Sequence, residues 1–402
     1  MPEPESIPLE IFRGRDFFVP AFRVRVGVGD LRDLNEAMPD IQSVTYSDSL
    51  TEIDSVELTV NNWNPDTRKF KYSDGDTFSP GKEIEVYMGY LQKGQDQRQL
   101  MLTGDIKTMT PNFPSSGGPT LSITGLNLLD RFRLQQITKQ FLGKQDTVVA
   151  RALIEEIRKQ VKSSLPNIDL QLDETEAQRN LKDEKPIPSL AMQNQYPIMF
   201  LLERARRIGY ELTITEGTPL SSDKRLLIVH FRPPSYVVRP TYVLEWGVSL
   251  ISFQPSLQTA RQVSEVTVRG WNPKEKKEFR ETATRDDLRG EKIVNPADLK
   301  LSERNAAKKK EIVADRPIQT KEEAKELAKK TLRQIAQGLV EGKGRTIGLP
   351  DLRAGVKLQI KGLGDRFSGT KEKPFSYFVT QTTHTIGEGG YTTDFAARME
   401  AT

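Results

Sequence analysis

The stretch from Thr320 to Phe395 constrains the fold most, because it sets a helix directly against a run of short strands. Thr320 is followed three residues on by Glu323, the spacing of a capping box, in which each side chain satisfies a backbone donor of the other. Ala324, Leu327, Ala328, Leu332, Ile335 and Leu339 fall on one face at helical spacing, which predicts an amphipathic helix over Thr320–Leu339. Gly342-Lys343-Gly344 then reads as a glycine-rich hinge. Beyond it lie Gly348-Leu349-Pro350-Asp351-Leu352-Arg353-Ala354-Gly355 and Gly362-Leu363-Gly364-Asp365-Arg366-Phe367-Ser368-Gly369, with strands running on to Gly389-Gly390-Tyr391-Thr392-Thr393-Asp394-Phe395.

The N-terminal part reads as strands. Phe22, Val24, Val26 and Val28 alternate with Arg23, Arg25 and Gly27, the pattern of a strand buried on one face. Further strands are expected at Ile53–Val60, Glu83–Tyr90, Leu102–Met109 and Leu121–Gly125, with a loop at Pro111–Pro119. Short strands with this punctuation point to a barrel or sandwich, placed at residues 10–130. The middle, 131–245, is mixed α/β: Asp146 or Thr147 caps a helix with an inward stripe of Val149, Leu153, Ile157 and Val161. Residues 163–195 read as a polar excursion or long loop. A helix opening at Pro197 is stopped by Gly209 and leads to a strand through Tyr210, Leu212 and Ile214, with Leu226–Phe231 as its hairpin partner. Residues 246–318 read as connecting strands and a charge-rich, loop-rich segment, and 319–402 as the capped helix with a second barrel. Both ends carry three successive strands with similar punctuation, a pattern that duplication and coincidence explain equally well.

Composition narrows the classes. At 402 residues the chain suggests two to four domains. It has 36% hydrophobic and 28% charged residues, with 59 cations against 55 anions, a net +4 that gives no concentrated basic footprint for nucleic acid. The run Lys308-Lys309-Lys310 is followed at once by Glu311 and reads as a solvated face. The absence of cysteine excludes disulfides, thiolate metal sites and cysteine nucleophiles. The acidic, proline-broken start Met1–Ser6 predicts no secretory signal, and no apolar run reaches the roughly 18 residues of a membrane helix. From the residues alone the reading stops at a soluble, multidomain, β-rich protein.

Four segments in order carry a resemblance. They are Thr103-Gly104-Asp105-Ile106 with Ser122-Ile123-Thr124-Gly125; Tyr196–Ala205 running to Gly209-Tyr210-Glu211; Ile251–Pro255 with Val266–Pro273; and the C-terminal segment. Together they resemble the phage late control D family, the tail hubs of contractile tails, also seen as the front part of type VI secretion spikes. The resemblance implies an α+β, β-rich fold with two related tube-like β-barrel domains and an inserted α/β region, forming a pseudo-sixfold ring as a homotrimer. It further implies a structural baseplate hub adapting a hexameric tail tube, through its tube-initiator protein, to a trimeric central spike. Other baseplate or sheath-adaptor proteins are expected neighbours, near 111–119 and 272–318. The particle implied by the resemblance is a phage tail or tail-like injection machine, expected to be assembled in the bacterial cytoplasm. Fused spikes continue into an OB-fold and a β-helix. This sequence stops at Thr402, so the spike is expected to be a separate polypeptide.

Little in the sequence points to chemistry. His230 and His384, the two histidines, read as structural residues on strands, and without cysteine they make a poor zinc site. No nucleophile elbow or phosphate-binding loop is present, and Gly362-x-Gly364 reads as a tight turn between strands. Asp130-Arg131-Phe132-Arg133 and Arg204-x-Arg206-Arg207 suit solubility or intersubunit pairing. No catalytic, metal or cofactor-binding residue is assigned, and no nucleic-acid binding or membrane insertion is expected. The rival readings are a tail-tip cell-wall hydrolase using a carboxylate pair, and a receptor-binding adhesin.

Overall fold

A computed structural model describes residues 8–10, 17–28, 30–50, 52–92, 95–164, 168–208, 210–217, 225–233, 241–272, 276–291, 293–299, 301, 309–313, 320–370 and 372–401. Taken over all the described residues, strand outweighs helix. The alternating N-terminal segments form β1 (Pro20–Val28), β2 (Ile41–Ser49), β3 (Ser55–Asn61), β4 (Glu83–Gln92), β5 (Gln99–Asn112) and β6 (Thr120–Asn127). They pair in the order β1-β4-β5-β6-β3-β2, every neighbour antiparallel. Their inward residues, among them Val24, Val44, Leu58, Ile84, Met88 and Ile123, close into one core.

The middle holds β7 (Ile137–Lys144), α1 (Asp146–Ser164), β8 (Ile168–Leu172), α2 (Glu174–Asp183), β9 (Ile187–Gln195), α3 (Pro197–Ile208), β10 (Glu211–Glu216) and β11 (Arg225–Arg232). The polar stretch 163–195, expected as a loop, thus contains two strands and a helix. Asp173 accepts from Glu176 N at 3.0 Å and caps α2, while the inward residues Ile168, Leu170 and Leu172 of β8 bury against α1. At the start of α1 the orphan donor is met from a distance. Glu184 accepts from Thr147 N at 2.8 Å, and Asp146 instead pairs with Arg204.

The rest of the chain begins with β12 (Thr241–Glu245) and β13 (Leu250–Leu257), then leaves the main sheet. β14 (Glu265–Asn272) lies between β15 (Lys277–Thr284) and β16 (Lys310–Val313) in a separate three-stranded sheet. Its alternating Val266 and Val268 need a cover, and α4 (Lys321–Gln337) supplies it by burying Ala324, Ala328, Leu332 and Ala336 there. The segment expected as loop therefore has strands at both ends of its described part. The predicted helix is present, and the side chain of its capping residue Glu323 lies outside the described residues. Gly209, expected to stop α3, lies outside them as well.

The chain returns as β17 (Val340–Ile347), β18 (Lys357–Lys361), β19 (Ser376–Gly387) and β20 (Gly390–Glu400). The expected hinge Gly342-Lys343-Gly344 is the interior of strand β17. Its glycines are there for aromatic rings: a Cβ on Gly344 would come 2.5 Å from Phe395 Cζ, and one on Gly342 would collide with the Phe253 ring. These strands pair in the order β12-β18-β19-β20-β17-β13. Counting each set of six by chain order, both sheets follow the path first-fourth-fifth-sixth-third-second. Two bulges coincide too, while a third, between Leu100 and Leu102 in the β4–β5 pairing, has no counterpart in the second sheet. The second-to-third pairing shifts register between Ile41 and Ser43 in one sheet and between Leu250 and Ser252 in the other. The fifth-to-sixth pairing shifts between Ile106 and Thr108, and between Val379 and Gln381. The sheets differ at one edge, where β1 is antiparallel to β4 and β12 is parallel to β18. One ladder, β19 against β2, fuses the two sheets.

Candidate functional site

The fusion of the two sheets is the chemically densest place among the described residues. Gln381 to Ile386 of β19 pair with Ser49 to Val44 of β2, and Leu50 N extends the ladder by donating to Thr380 O at 3.1 Å. Over this seam runs the connection from β17 to β18, the glycine-bracketed Gly348–Gly355. Each end of it is tied to the first sheet. Tyr90 Oη donates to Gly348 O at 2.9 Å, and Arg353 Nη2 donates to Met101 O at 3.1 Å.

Asp48, on β2, is buried under this strap. It accepts from Thr382 Oγ1 and from Ala354 N at 3.2 Å, and Arg353 Nη1 lies 3.9 Å from its Oδ2. The Arg353 guanidinium stacks 4.4 Å above the Tyr46 ring, whose hydroxyl donates to Asp54 at 3.0 Å. His384 is fully buried on β19. Its Nε2 is 3.0 Å from Leu352 O, an acceptor only, so Nε2 carries the proton. Nδ1 then accepts from Tyr391 Oη and Thr393 Oγ1, each at 3.1 Å.

Burial sets the protonation of these groups. Desolvation pushes Asp54 up to about 7, with the neighbouring Asp48 charge adding and Arg353 opposing. Asp48 is raised as well, again by burial first, while Arg353 and its hydrogen bonds pull back. Burial and the Arg353 charge hold His384 well below the ordinary histidine range, so it stays neutral. Asp48, Asp54 and Arg353 line a cavity of about 460 Å³ with Leu100 and Met101 of β5 and Leu212 of β10. A carboxyl group titrating near neutrality beside a cavity, as Asp54 does, has the properties an acid–base centre requires. Here the carboxyl oxygens are already engaged by groups of the seam, so what the arrangement does visibly is hold the two sheets together.

Both histidines turn out buried and hydrogen-bonded. His230 on β11 meets Thr215 Oγ1 at 2.8 Å through Nε2 and Glu176 Oε2 at 3.0 Å through Nδ1. Asp173, Glu176 and His230 converge closely enough to resemble a cation site. Arg232, however, binds the same Glu176 and donates to Glu211 at 2.9 Å, so a cation would have to displace a guanidinium already in place. Arg131 and Arg204 also point inward. Arg131 binds Asp105 and Glu83, and Arg225 reaches Glu83 at 3.0 Å, tying β11 to β4. The side chains of Arg206 and Arg207 lie outside the described residues. Gly362 and Gly364 have φ of 88° and 75° in the turn between β18 and β19, the left-handed conformation that glycine tolerates. Asp48, Asp54 and the role of Arg353 escaped the sequence reading. Arg353 was visible only as a member of the glycine-bracketed motif.

The chain matches the sequence model of the Alg8 N-terminal domain over residues 30–175 and 200–388, and it belongs to that family. No curated protein sequence matches it. Its fold is similar to that of the 43 kDa tail protein of prophage MuSo2 from Shewanella oneidensis, with TM-score 0.61, 12% identity, and 94% of this chain and 98% of that one covered. The tail protein from Neisseria meningitidis MC58 is similar at TM-score 0.59 and 14% identity, covering 95% and 97%. A chain of the half-lidded Francisella PdpA–VgrG complex is similar at TM-score 0.51 and 10% identity, covering 95% of this chain and 58% of that one. At these identities the likeness is one of fold.

Proposed function

We propose that this chain is a structural baseplate hub of a contractile injection machine, of the late control D kind, acting as a homotrimer between a hexameric tube and a trimeric spike. The observation that carries the reading is the strand path repeated within one chain, with matching bulges and a single ladder joining the repeats. Two related tube-like barrels per subunit give three copies six near-equivalent units around a ring. Such a ring can face sixfold order on one side and threefold order on the other, which a single-barrel subunit cannot do. The shared fold with chains described as tail proteins supports the same role. In this reading the first barrel spans about 10–130, and the second combines 340–402 with β12 and β13; the middle and the α4-covered sheet face other baseplate components. Reconstruction of the assembled particle tests it: three copies at the tube–spike junction are expected, and one or six would overturn the trimer.

A second reading has one observation in its favour, the Asp48–Asp54 pair beside a cavity. As a wall-cleaving hydrolase the protein would release soluble fragments from purified peptidoglycan, and Asp54→Asn would abolish that release. The hub reading expects no release from either protein.

A further inference from the structure

The unit formed by β14, β15, β16 and α4 holds a pocket of about 180 Å³ just past the end of β15. Leu288 and Ile293, both buried, line it together with Arg285, Arg289 and Gly290. Arg285 opens the single 3-10 turn Arg285–Leu288 and is half-buried. Its one hydrogen bond among the described residues runs from Nη2 to Gln262 Oε1 at 2.7 Å. Gln262 is itself fixed, being buried and donating from Nε2 to Ile335 O of α4 at 2.7 Å. A neutral amide thus holds the guanidinium in place and leaves most of its N–H donors unbonded.

Every acid near this turn already has a partner. Asp287 accepts from Thr284 N at 2.7 Å and from Thr284 Oγ1 at 3.0 Å, which closes the turn. Asp286 pairs with Arg289 at 2.9 Å. Glu291 binds Arg333 and lies 3.5 Å from Lys329 Nζ, both on α4. Arg285 forms no ion pair among the described residues. Burial accordingly holds its guanidinium below the ordinary range, whereas the hydrogen bond to Glu291 lifts that of Arg333. A partly buried cation without a counter-charge is costly, and an anion entering the pocket would relieve that cost.

We propose that this pocket is an oxyanion site, taking one phosphate-sized group on the Arg285 guanidinium with Arg289 at the rim. The coplanar donors of a guanidinium match two oxygens of a phosphate or a carboxylate at once. Gly290 has φ of 86° and nothing within 4 Å of where a Cβ would stand, so the pocket wall there is bare backbone open to a ligand. The Asp286–Arg289 pair is exposed, and a surface pair of that kind is weak enough to be exchanged for a ligand. The volume is below the roughly 300 Å³ at which pockets for whole small molecules begin, so the occupant is a single anionic group. That group is a free phosphate or a carboxylate, and the site does not depend on the hub reading.

Calorimetric titration of the full-length protein tests it. Inorganic phosphate, added in chloride buffer of matched ionic strength, should bind at one per chain with a Kd on the order of 1 mM or tighter. Acetate titrated in the same way separates the two sources: binding comparable to phosphate assigns the site to a carboxylate, and binding at least tenfold weaker assigns it to phosphate. Arg285→Gln should weaken the binding at least tenfold, and Arg289→Gln, at a side chain 81% exposed, severalfold. Arg32→Gln removes a side chain 83% exposed on the strand that pairs with β1, and should change nothing. Circular dichroism and melting in chloride should match the parent for Arg289→Gln, so that variant decides alone if Arg285→Gln does not fold. Binding of neither anion overturns the site. So does binding unaltered by the deciding pocket variant, or an equal loss in Arg32→Gln, which would mark diffuse surface charge.

Discussion

At the residue scale, Arg353 is the pivot of the seam, stacked on Tyr46, bound to a β5 carbonyl and facing Asp48. Arg353→Met would leave Asp48 buried beside no cation, and removing one partner of such a pair costs about 3–5 kcal/mol. Denaturant unfolding should show that loss, and Arg353→Met combined with Asp48→Asn should recover part of it; additive losses would mean the two do not interact. Asp54 gives a pH dependence. Its folded pKa of about 7 lies above its unfolded value, so the fold favours the protonated form. That contribution is full below roughly pH 4 and is lost as pH rises toward 7, a difference on the order of 2–4 kcal/mol. His384 acts with the opposite sign. Its folded pKa is depressed, so stability falls as pH drops below the unfolded value of about 6.5. The effect of Asp54 is therefore read as a difference: Asp54→Asn should match the parent at pH 4 and melt higher at pH 8, with Asp48, Tyr46 and Arg353 unchanged around it. Equal melting temperatures at both pH values would show that Asp54 is not held protonated.

At the element scale, β17 shows how one pattern admits two readings. Gly342-Lys343-Gly344 carries the local signature of a flexible joint, yet the strand is central in its sheet, lying between β13 and β20. The glycines clear space for Phe253 and Phe395, whose rings lie 6.0 Å apart and stacked. Gly344→Ala should cost about 1–3 kcal/mol by overpacking. Pairing it with Phe395→Leu should restore part of the loss in a thermal melt. A Gly344→Ala protein as stable as the parent would argue for the hinge instead. The α4 unit is an insertion in the same sense. It departs after β13 and returns at β17, whose Val340 pairs with Leu257. Replacing Gln258–Leu339 with a short turn should leave a folded chain with a lower melting temperature, because Val294 and Leu299 also pack on the second core. An unfolded product by circular dichroism would show that α4 is required to form the sheet.

At the scale of the whole molecule, local chemistry and tertiary placement divided the work. Alternation with period two was enough to locate β1, because Val24 and Val26 are buried while their neighbours Arg23, Arg25 and Gly27 are not. Helical periodicity and a capping residue located α4 for the same local reason. The stretch 163–195 was opaque because its strands are interrupted by prolines and a charged run, and their pairing partners lie elsewhere in the chain: β8 pairs with β11 and β9 with β7. The repeated strand path could not be read from strand pattern alone, since any two sets of short strands share punctuation. Strand order and bulge position are properties of pairing between distant segments. The Asp48–Asp54–Arg353 cluster was invisible on the same ground. Arg353 lies about 300 residues from the two aspartates in sequence, and nothing around any one of the three announces burial. The sequence by itself determined the elements whose apolar residues recur at a regular period, such as β1 and α4, and which of their faces are apolar. The tertiary structure decided which edges meet, and with them where charge is buried, because hydrogen-bonded pairing and desolvation depend on neighbours in space.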